Sequence, residues 1–294
     1  MLTRRTFCLL AVSTGAMPSL SRLVRAGDVS GALEAELANI EKTSGGRLGV
    51  AVFDTKTGTG GGYRSNELFP MCSTFKLLAA AAILKRVDTG QERLDRRILF
   101  GVSDLVVNSP TTKARVGEGS LTLAELCEAA MVMSDNTAGN LLLADLGGPA
   151  GLTAFARSLG DQTTRLDRIE PDLNEALPGD PRDTTSPAAM LENIRLLVLG
   201  NALSPASRQQ LTVWLLGNKT GDTRLRARLP NGWRVGDKTG IGERGTTNDV
   251  GLFWPPRRDP VIVAAYLTGS PASTEQRNGM IAAVGEAVAK TLRS

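Results

Sequence analysis

The apolar positions of the chain predict strands near both ends and helices between them. Residues 28–44 repeat apolar side chains at helical spacing and end at the glycine pair 45–46. The apolar run 48–53 that follows predicts a strand, and a turn leads to a short second strand around Tyr63. The first part of the chain is therefore expected to supply one helix and two strands.

The middle of the chain, from about 70 to 215, is mostly helical in pattern. One polar segment, 165–183, interrupts it with three prolines and little periodicity, and such segments are often functional. The glycine-proline cluster 147–149 is expected to end a helix. The predicted helices are 75–87, 121–133, 136–146, 152–159, 187–199 and 205–216.

The end of the chain returns to strands, predicted at 234–240, 248–254 and 261–268, before a closing helix at 274–292. Strands at both ends and helices between them predict an α/β (α+β) fold, in which a five-stranded antiparallel sheet flanked by helices lies beside an all-α domain.

The predicted sheet domain is discontinuous and consists of residues 27–70 and 216–294. The predicted helical domain spans 71–215 and carries the helix after Ser73 and an Ω-type loop at 165–183.

Residues 1–26 have the features of an export signal. Arg4 and Arg5 precede the apolar run 8–12, a pattern that resembles signals of the twin-arginine type. Small residues near Ala26 suit cleavage. An N-terminal anchor and an ordinary secretory signal are the alternatives. We expect a periplasmic protein without stable membrane association after cleavage.

The charge of the chain does not indicate a nucleic-acid partner. The formal net charge is +4, but residues 1–26 hold four arginines and no acidic residue, so the remainder is formally neutral. We expect a small-molecule substrate and a monomeric protein.

The absence of histidine narrows the possible chemistry. With no histidine in the chain, a Ser-His-Asp triad and a His-ligated zinc site are both excluded. A hydrolytic nucleophile would need Lys, Glu or Asp as its base. Of the three cysteines, Cys8 lies in the predicted signal, and Cys72 and Cys127 could form one bridge that the sequence does not demand.

Ser73-Thr74-Phe75-Lys76 stands at the start of a predicted helix. A helix N-terminus favours negative charge, and Lys76, three residues on, shares a face with Ser73. A lysine with a lowered pKa could take the serine proton. The alternative is a helix cap followed by a solvated lysine.

Ser134-Asp135-Asn136 lies between two predicted helices. Ser134 could relay a proton to a leaving nitrogen, and Asn136 could bind a substrate amide. The alternative is an N-cap cluster for the next helix.

Lys-Thr-Gly occurs twice. Lys219-Thr220-Gly221 is interpreted as a helix C-terminus with glycine as a left-handed stop. Lys238-Thr239-Gly240 lies on a predicted strand, where an ammonium and a hydroxyl could line a cleft and Gly240 would allow close approach of a substrate. The second copy is the candidate for function.

Glu170 and Asn174 lie in the polar segment 165–183. If the segment curls locally, both could converge on one water, with Glu170 as general base. We expect Arg168 and Asp183 to close the segment by an ion pair. The alternative is an exposed acidic loop.

These four motifs, in this order, resemble those of a class A serine β-lactamase over residues 28–293. The resemblance implies an all-α domain packed on an α/β domain, a cleft between them, and neither metal nor cofactor. It implies that Ser73 attacks the lactam carbonyl after losing its proton to Lys76, or to Glu170 through a water. The further roles that it implies are an oxyanion hole of the Ser73 and Ile241 N–H groups, proton transfer by Ser134, acylamide binding by Asn136, carboxylate binding by Lys238 and Thr239, and water activation by Glu170 with Asn174.

Some positions depart from parts of that family. Thr247 stands where many members have arginine, and Arg224 could supply that charge. Gly242 and Ala80 stand where some members place cysteines that pair with the positions of Cys72 and Cys127. Asn108 replaces an aromatic residue that many relatives have at the cleft mouth.

The nearest alternative function is a penicillin-binding D,D-peptidase, followed by a β-lactam-sensing domain that stays acylated and, more distantly, a Ser/Lys carboxylesterase. Glu170 and Asn174 favour an enzyme that releases its acyl group.

Overall fold

Both ends of the chain contribute strands to one sheet, and helices cover its two faces. A computed structural model describes residues 31–292, and the predicted signal 1–26 lies outside them. In chain order the helices are α1 (Gly31–Ser44), α2 (Phe75–Asp88), α3 (Pro110–Arg115), α4 (Leu123–Val132), α5 (Asn136–Asp145), α6 (Gly148–Ser158), α7 (Pro187–Ile194), α8 (Pro205–Leu216) and α9 (Thr274–Thr291). The strands are β1 (Arg47–Asp54), β2 (Thr59–Tyr63), β3 (Phe69–Pro70), β4 (Arg97–Leu99), β5 (Ser120–Thr122), β6 (Thr184–Thr185), β7 (Arg234–Gly242), β8 (Thr246–Trp254) and β9 (Val261–Thr268).

The main sheet has the order β2-β1-β9-β8-β7, and each neighbouring pair is antiparallel. β1 and β2 come from the start of the chain and the other three strands from its end, which confirms the predicted fold class. The boundaries of the two domains stay a prediction.

Alternation along β9 divides the core into two clusters. Ile262 and Tyr266 face a cluster centred on α2 and the helices around it. Val263 and Leu267 face a second cluster that α1 and α9 cover. Because successive strand residues point to opposite faces, one strand serves both clusters. Each fully buried aliphatic or aromatic side chain contributes about 1.5–3 kcal/mol.

One side-chain cap fixes the start of α5. The Asp135 carboxylate accepts the Ala138 N–H at 2.9 Å, and it also accepts the Thr112 N–H at 2.9 Å from α3. Since Asp135 lies between Ser134 and Asn136, this cap holds both neighbours in place. The cap interpretation of this motif is therefore confirmed alongside any chemical role.

Several short elements were not predicted: α3, the β3–β6 pair and the β4–β5 pair. The β3–β6 pair joins the residues before Ser73 to the end of the segment 165–183. α4 begins at Leu123, because Leu121 belongs to β5. The glycine-proline cluster also starts a helix, since Gly147 (φ +89°) is the N-cap of α6.

Among the helices of residues 31–292, none combines the length and apolar character that a membrane crossing requires.

Candidate active site

A cleft of about 680 Å³ opens between α2, α5, the segment 165–183 and β7. This volume lies within the range of sites for small molecules. Its lining residues are Ser73, Asn108, Ser109, Pro110, Lys113, Met133, Ser134, Asn136, Asn174 and Ile241. The structure thus places all four sequence motifs either in the lining of this cleft or directly behind it.

Ser73 lies in a single 3-10 turn, Cys72–Thr74, that leads directly into α2. Its side chain is nearly buried, at 7% exposure. The Ser73 hydroxyl donates to Glu170 Oε1 at 3.0 Å and accepts from Lys76 Nζ at 2.8 Å. The helical spacing that placed Lys76 beside Ser73 in the sequence analysis is therefore confirmed.

Lys76 is fully buried and has four oxygen contacts. Besides Ser73, its Nζ donates to the Ser134 carbonyl at 2.9 Å and to Asn136 Oδ1 at 2.6 Å, and it lies 2.9 Å from Glu170 Oε1. Burial lowers the pKa of Lys76, and the neighbouring Glu170 carboxylate opposes that shift. A lysine in this environment can exchange a proton with Ser73.

Glu170 is also buried, at 1% exposure. Asn140 of α5 holds the backbone of Glu170 by two hydrogen bonds. The Asn140 side-chain amide donates to the Glu170 carbonyl at 2.9 Å and accepts from the Glu170 N–H at 2.8 Å. Asn174 Nδ2 donates to Glu170 Oε2. Asn174 Oδ1 is buried and has no hydrogen-bond partner among residues 31–292, so a polar acceptor lies unused beside the carboxylate.

The ion pair expected between Arg168 and Asp183 is present. Arg168 Nε lies 2.6 Å from Asp183 Oδ2, and Asp183 Oδ1 accepts the N–H groups of Asp167 and Arg168 at 2.8 and 2.9 Å. Asp183 is 1% exposed. This contact closes the segment 165–183 at its two ends, so Glu170 stands on a fixed loop.

Lys238 extends from β7 to the opposite side of the cleft and is fully buried. Its Nζ donates to Ser134 Oγ at 2.9 Å and to the Thr239 carbonyl at 2.9 Å. Burial lowers the pKa of Lys238 well below its usual value, and the positive charges of Lys76 and Arg224 lower it further.

Arg224 lies behind β7 and does not line the cleft. Its Nη1 donates to the carbonyls of Gly240 and Asn248 at 2.8 and 2.7 Å, and its Nε donates to Asn278 Oδ1 at 2.9 Å. Burial lowers the pKa of Arg224, against the attraction of Asp249. Arg224 therefore supports the strand and adds positive charge from behind.

Close packing explains Gly240 and Gly242. A Cβ at Gly240 would lie 2.9 Å from the Met71 carbonyl, and a Cβ at Gly242 would lie 2.7 Å from Cys72 Sγ. β7 thus contacts the Ser73 turn directly, while Ile241 between these glycines is 45% exposed at the cleft edge. Cys72 and the remaining described cysteine, Cys127, are buried free thiols, and burial raises the pKa of each.

The interpretation of Lys219-Thr220-Gly221 as a left-handed helix stop is wrong. α8 ends at Leu216 with Gly217 in a right-handed conformation as its C-cap, and Gly221 has no positive φ. Gly221 instead packs against Asp237, whose carboxylate would lie 2.5 Å from an added Cβ. The first Lys-Thr-Gly copy therefore lies against the second.

Three residues near the site were not predicted: Asn140, Lys113 and Thr220. Asn140 follows Asn136 by four residues, so it lies on the same face of α5, and that spacing could have identified it. Lys113 lies on α3, which the periodicity did not indicate. Thr220 belongs to the first Lys-Thr-Gly copy, whose pattern predicts only a helix C-terminus.

Within the part of the chain that the structure describes, no group of three or more Cys, Asp or Glu side chains could hold a metal ion. The expectation of no metal and no cofactor stays a prediction. What the site does present is a buried serine, lysine and carboxylate in mutual contact, which is the arrangement of a serine acyl-transfer enzyme.

Comparisons with known proteins agree with this class. The model of the β-lactamase enzyme family matches residues 32–292. β-Lactamase CTX-M-8 of Citrobacter amalonaticus is 50% identical over 256 residues, which cover 87% of this chain and 88% of that protein. β-Lactamase OXY-1 of Klebsiella oxytoca is 49% identical over 261 residues, 89% of each chain.

A solved structure of an ancestral (GNCA) class A β-lactamase superposes with a TM-score of 0.86 at 64% identity, and the match covers 88% of this chain and 99% of that one. The chain belongs to the β-lactamase enzyme family and, within it, to the class A serine enzymes. The resemblance drawn from the four motifs is confirmed.

Proposed function

We propose that this enzyme hydrolyses the amide bond of penicillins and cephalosporins through an acyl-enzyme on Ser73, and that it protects its host from these antibiotics. The observation that carries the proposal is the three-way contact of Ser73, Lys76 and Glu170, with Ser73 Oγ 2.8 Å from Lys76 Nζ and 3.0 Å from Glu170 Oε1. The relatives named as β-lactamases support the same substrate class.

In the acylation step, Ser73 Oγ forms a bond to the lactam carbonyl carbon. Its proton passes to Glu170, or to Lys76 in the neutral form that a lowered pKa favours. The N–H groups of Ser73 and Ile241 bind the oxyanion, and one such donor typically contributes about 2.7–4 kcal/mol to the transition state.

When the tetrahedral intermediate collapses, the lactam C–N bond breaks and the nitrogen takes a proton from Ser134, which recovers one from the group that had accepted the Ser73 proton. The 2.9 Å hydrogen bond from Lys238 Nζ to Ser134 Oγ supports this role, because a nearby cation favours loss of the hydroxyl proton. The Lys238 ammonium and the Thr239 hydroxyl bind the substrate carboxylate.

Asn136 has one amide hydrogen left for a substrate. Its Oδ1 accepts from Lys76, and one Nδ2 hydrogen goes to the Val107 carbonyl at 3.0 Å. The second hydrogen is available to the acylamide carbonyl of the substrate. The amide is thereby held in one orientation before the substrate arrives.

In deacylation, Glu170 removes a proton from a water that attacks the acyl carbonyl, and Ser73 leaves as its hydroxyl. The unused Asn174 Oδ1 supports a water position here, since it could accept that water's second hydrogen. This step distinguishes the enzyme from a domain that stays acylated.

Turnover of a chromogenic cephalosporin by the purified protein tests the proposal. We expect many substrate molecules hydrolysed per active site. A single stoichiometric burst without further turnover would instead support a penicillin-binding peptidase or a sensor domain.

Two variants test the assignment of roles by intact-mass spectrometry. Ser73→Ala is expected to abolish covalent labelling by penicillin. Glu170→Ala keeps Lys76 as an acceptor, so labelling is expected to persist while a stable adduct accumulates. Rapid loss of that adduct would exclude Glu170 as the base of deacylation.

The proposal extends to export, association state and domain boundaries. We propose that residues 1–26 direct the protein to the periplasm by the twin-arginine route, that the mature protein is a monomer, and that its domains divide at 70/71 and 215/216. Replacing Arg4 and Arg5 together by lysine should retain β-lactamase activity in the cytoplasm, whereas continued export would indicate an ordinary secretory signal. Size-exclusion chromatography with light scattering checks the monomer.

A further inference from the structure

The first Lys-Thr-Gly copy forms a loop, Asn218–Gly221, that lies along β7. The Lys219 N–H donates to the Val132 carbonyl at the end of α4, at 3.0 Å. On the other side, the Thr220 hydroxyl is hydrogen-bonded to the Thr239 hydroxyl. The loop therefore connects the helix that precedes Ser134 with the strand that carries Lys238 and Thr239.

Asp237 fixes this loop in position. It is fully buried and accepts from the Asn218 side-chain amide and from Arg226, whose Nη2 lies 2.6 Å from Oδ1 and whose Nε lies 3.0 Å from Oδ2. Gly221 is required because any Cβ there would collide with the same carboxylate. Asp237 and Thr239 are two residues apart on a strand, so they face the same side. Asn218 therefore contacts Asp237, and Thr220 contacts Thr239.

The hydrogen bonds that link Asn218, Thr220 and Thr239 can run in two directions, depending on where each hydroxyl hydrogen points. Thr220 Oγ1 lies 2.7 Å from Asn218 Oδ1 and also contacts Thr239 Oγ1, but a hydroxyl has only one hydrogen to donate. Within residues 31–292 the Thr239 hydroxyl has a single hydrogen-bond partner, Thr220. With no anion in the cleft, both hydroxyls are satisfied when Thr239 donates to Thr220 and Thr220 donates to Asn218.

A substrate carboxylate requires the opposite direction. Thr239 must then donate to the carboxylate, and its oxygen can accept the Thr220 hydrogen in return. Asn218 Oδ1 is not left without a donor, because it keeps the Thr220 N–H at 3.0 Å. Reversal therefore leaves no buried polar group unsatisfied, and a hydroxyl that accepts one hydrogen bond donates a stronger one.

We propose that Thr220 is a positioning residue for substrate binding, whose hydroxyl turns from Asn218 to Thr239 when the carboxylate of a β-lactam binds. This inference rests on the proposed function, since it assigns the carboxylate to Thr239. Thr220 acts through Thr239 and contributes to recognition of the anion while leaving the chemistry at Ser73 unchanged.

Steady-state kinetics of Thr220→Val and Thr220→Ser test the proposal with a chromogenic cephalosporin. Valine keeps the shape of threonine but has no hydroxyl, so KM should rise about two- to tenfold, the usual effect of one hydrogen bond, while kcat stays within about twofold. Serine keeps the hydroxyl and should return KM to within about twofold of wild type.

Two controls separate anion recognition from packing. With the methyl ester of the same cephalosporin, which lacks the anion, Thr220→Val should behave as wild type. In a Thr239→Val background, Thr220→Val should have no further effect on KM, because the partner hydroxyl is absent.

An unchanged KM in Thr220→Val, or an equal loss in the serine and valine variants, would overturn the inference while normal wild-type turnover left the proposed function intact. If penicillin did not acylate Ser73 in the wild type, the proposed function would fail and this inference would fail with it.

Discussion

The two sides of the cleft each bury one lysine, yet their charges are balanced differently. Lys76 belongs to the helical wall, which consists of α2, α5 and the segment 165–183, and it contacts the buried carboxylate of Glu170 at 2.9 Å. Lys238 belongs to the strand wall, formed by β7, and it has no ion pair with any carboxylate of residues 31–292; its partners are a hydroxyl and a carbonyl.

This difference is consistent with different functions for the two walls, reaction on the helical wall and substrate binding on the strand wall. The helical wall is neutral as a pair and complete before substrate arrives, as a reacting centre needs to be. The strand wall carries positive charge in a low-dielectric environment, and a substrate carboxylate would compensate it. The lysine without a carboxylate partner among residues 31–292 is thus the one we assign to binding, and variants on either wall can test the comparison.

The largest effect is expected from Lys76→Met. It removes a group that contacts the nucleophile, so kcat/KM for a chromogenic cephalosporin should fall about 10²- to 10⁴-fold. It also leaves Glu170 buried without its cation, which should lower the free energy of unfolding by about 3–5 kcal/mol. Lys113→Met, an exposed lysine at the same cleft, is the matched control and should stay within a few-fold of wild type. Equal losses in both variants would contradict the special role of the helical wall.

Next comes Arg168→Gln, which opens the loop that carries Glu170. Asp183 would remain buried without its ion-pair partner, so denaturant unfolding should show a loss of about 3 kcal/mol, and deacylation should slow. Arg165→Gln removes an exposed pair with Asp167 at the same loop and should cost less than about 1 kcal/mol. Similar losses in the two variants would show that the ion pair of Arg168 with Asp183 does not hold the ends of the segment 165–183 together.

Lys238→Met should act on binding more than on chemistry. Loss of a charge-assisted contact to the substrate carboxylate is expected to raise KM about 10- to 100-fold, with a smaller fall in kcat through Ser134. Initial rates over a range of substrate concentrations separate the two constants. A fall in kcat with KM unchanged would place Lys238 with the reacting centre and remove the contrast between the walls.

The smallest effect concerns pH and stability. Burial lowers the pKa of Lys238 in the folded state, so the charged lysine is less favourable there than in the unfolded chain. This difference lowers the free energy of unfolding. This cost is fully present below the lowered pKa and fades as pH rises from it toward about 10.4, the value of an unfolded lysine. Lys238→Met should therefore melt above wild type near neutral pH, and the two melting curves should converge as pH increases. Parallel values of Tm across that range would show that Lys238 carries no such cost.

Long periodic elements could be predicted from the sequence, because burial of one face determines both their pattern and their structure. α2, α8, β8 and β9 lie where the apolar periodicity indicated, to within about two residues. Ser73 and Lys76 were paired by helical spacing alone, and the charges of Arg168 and Asp183 indicated how the loop closes.

Contacts between distant segments left no local pattern to detect. β3 and β6 have two residues each, and their pairing depends on the surrounding tertiary structure. The sequence predicts a helix end at Thr220, because Gly221 fits a left-handed stop by composition. The packing of Gly221 instead depends on Asp237, sixteen positions further along the chain, which the local sequence could not reveal.

The pairing of β1 with β9 has a consequence for how the protein folds. Thr55, just after β1, donates to the carbonyl of Pro260, 205 residues away, so the centre of the sheet joins the earliest and latest parts of the described chain. Contacts of such long sequence separation slow folding. During synthesis, at about 5–20 residues per second, β1 can pair with β2 early, but nearly all of the described chain must be made before its other partner, β9, exists. The sheet that supports β7 is completed only then, so a nascent chain could form helices early but would acquire its complete binding surface last.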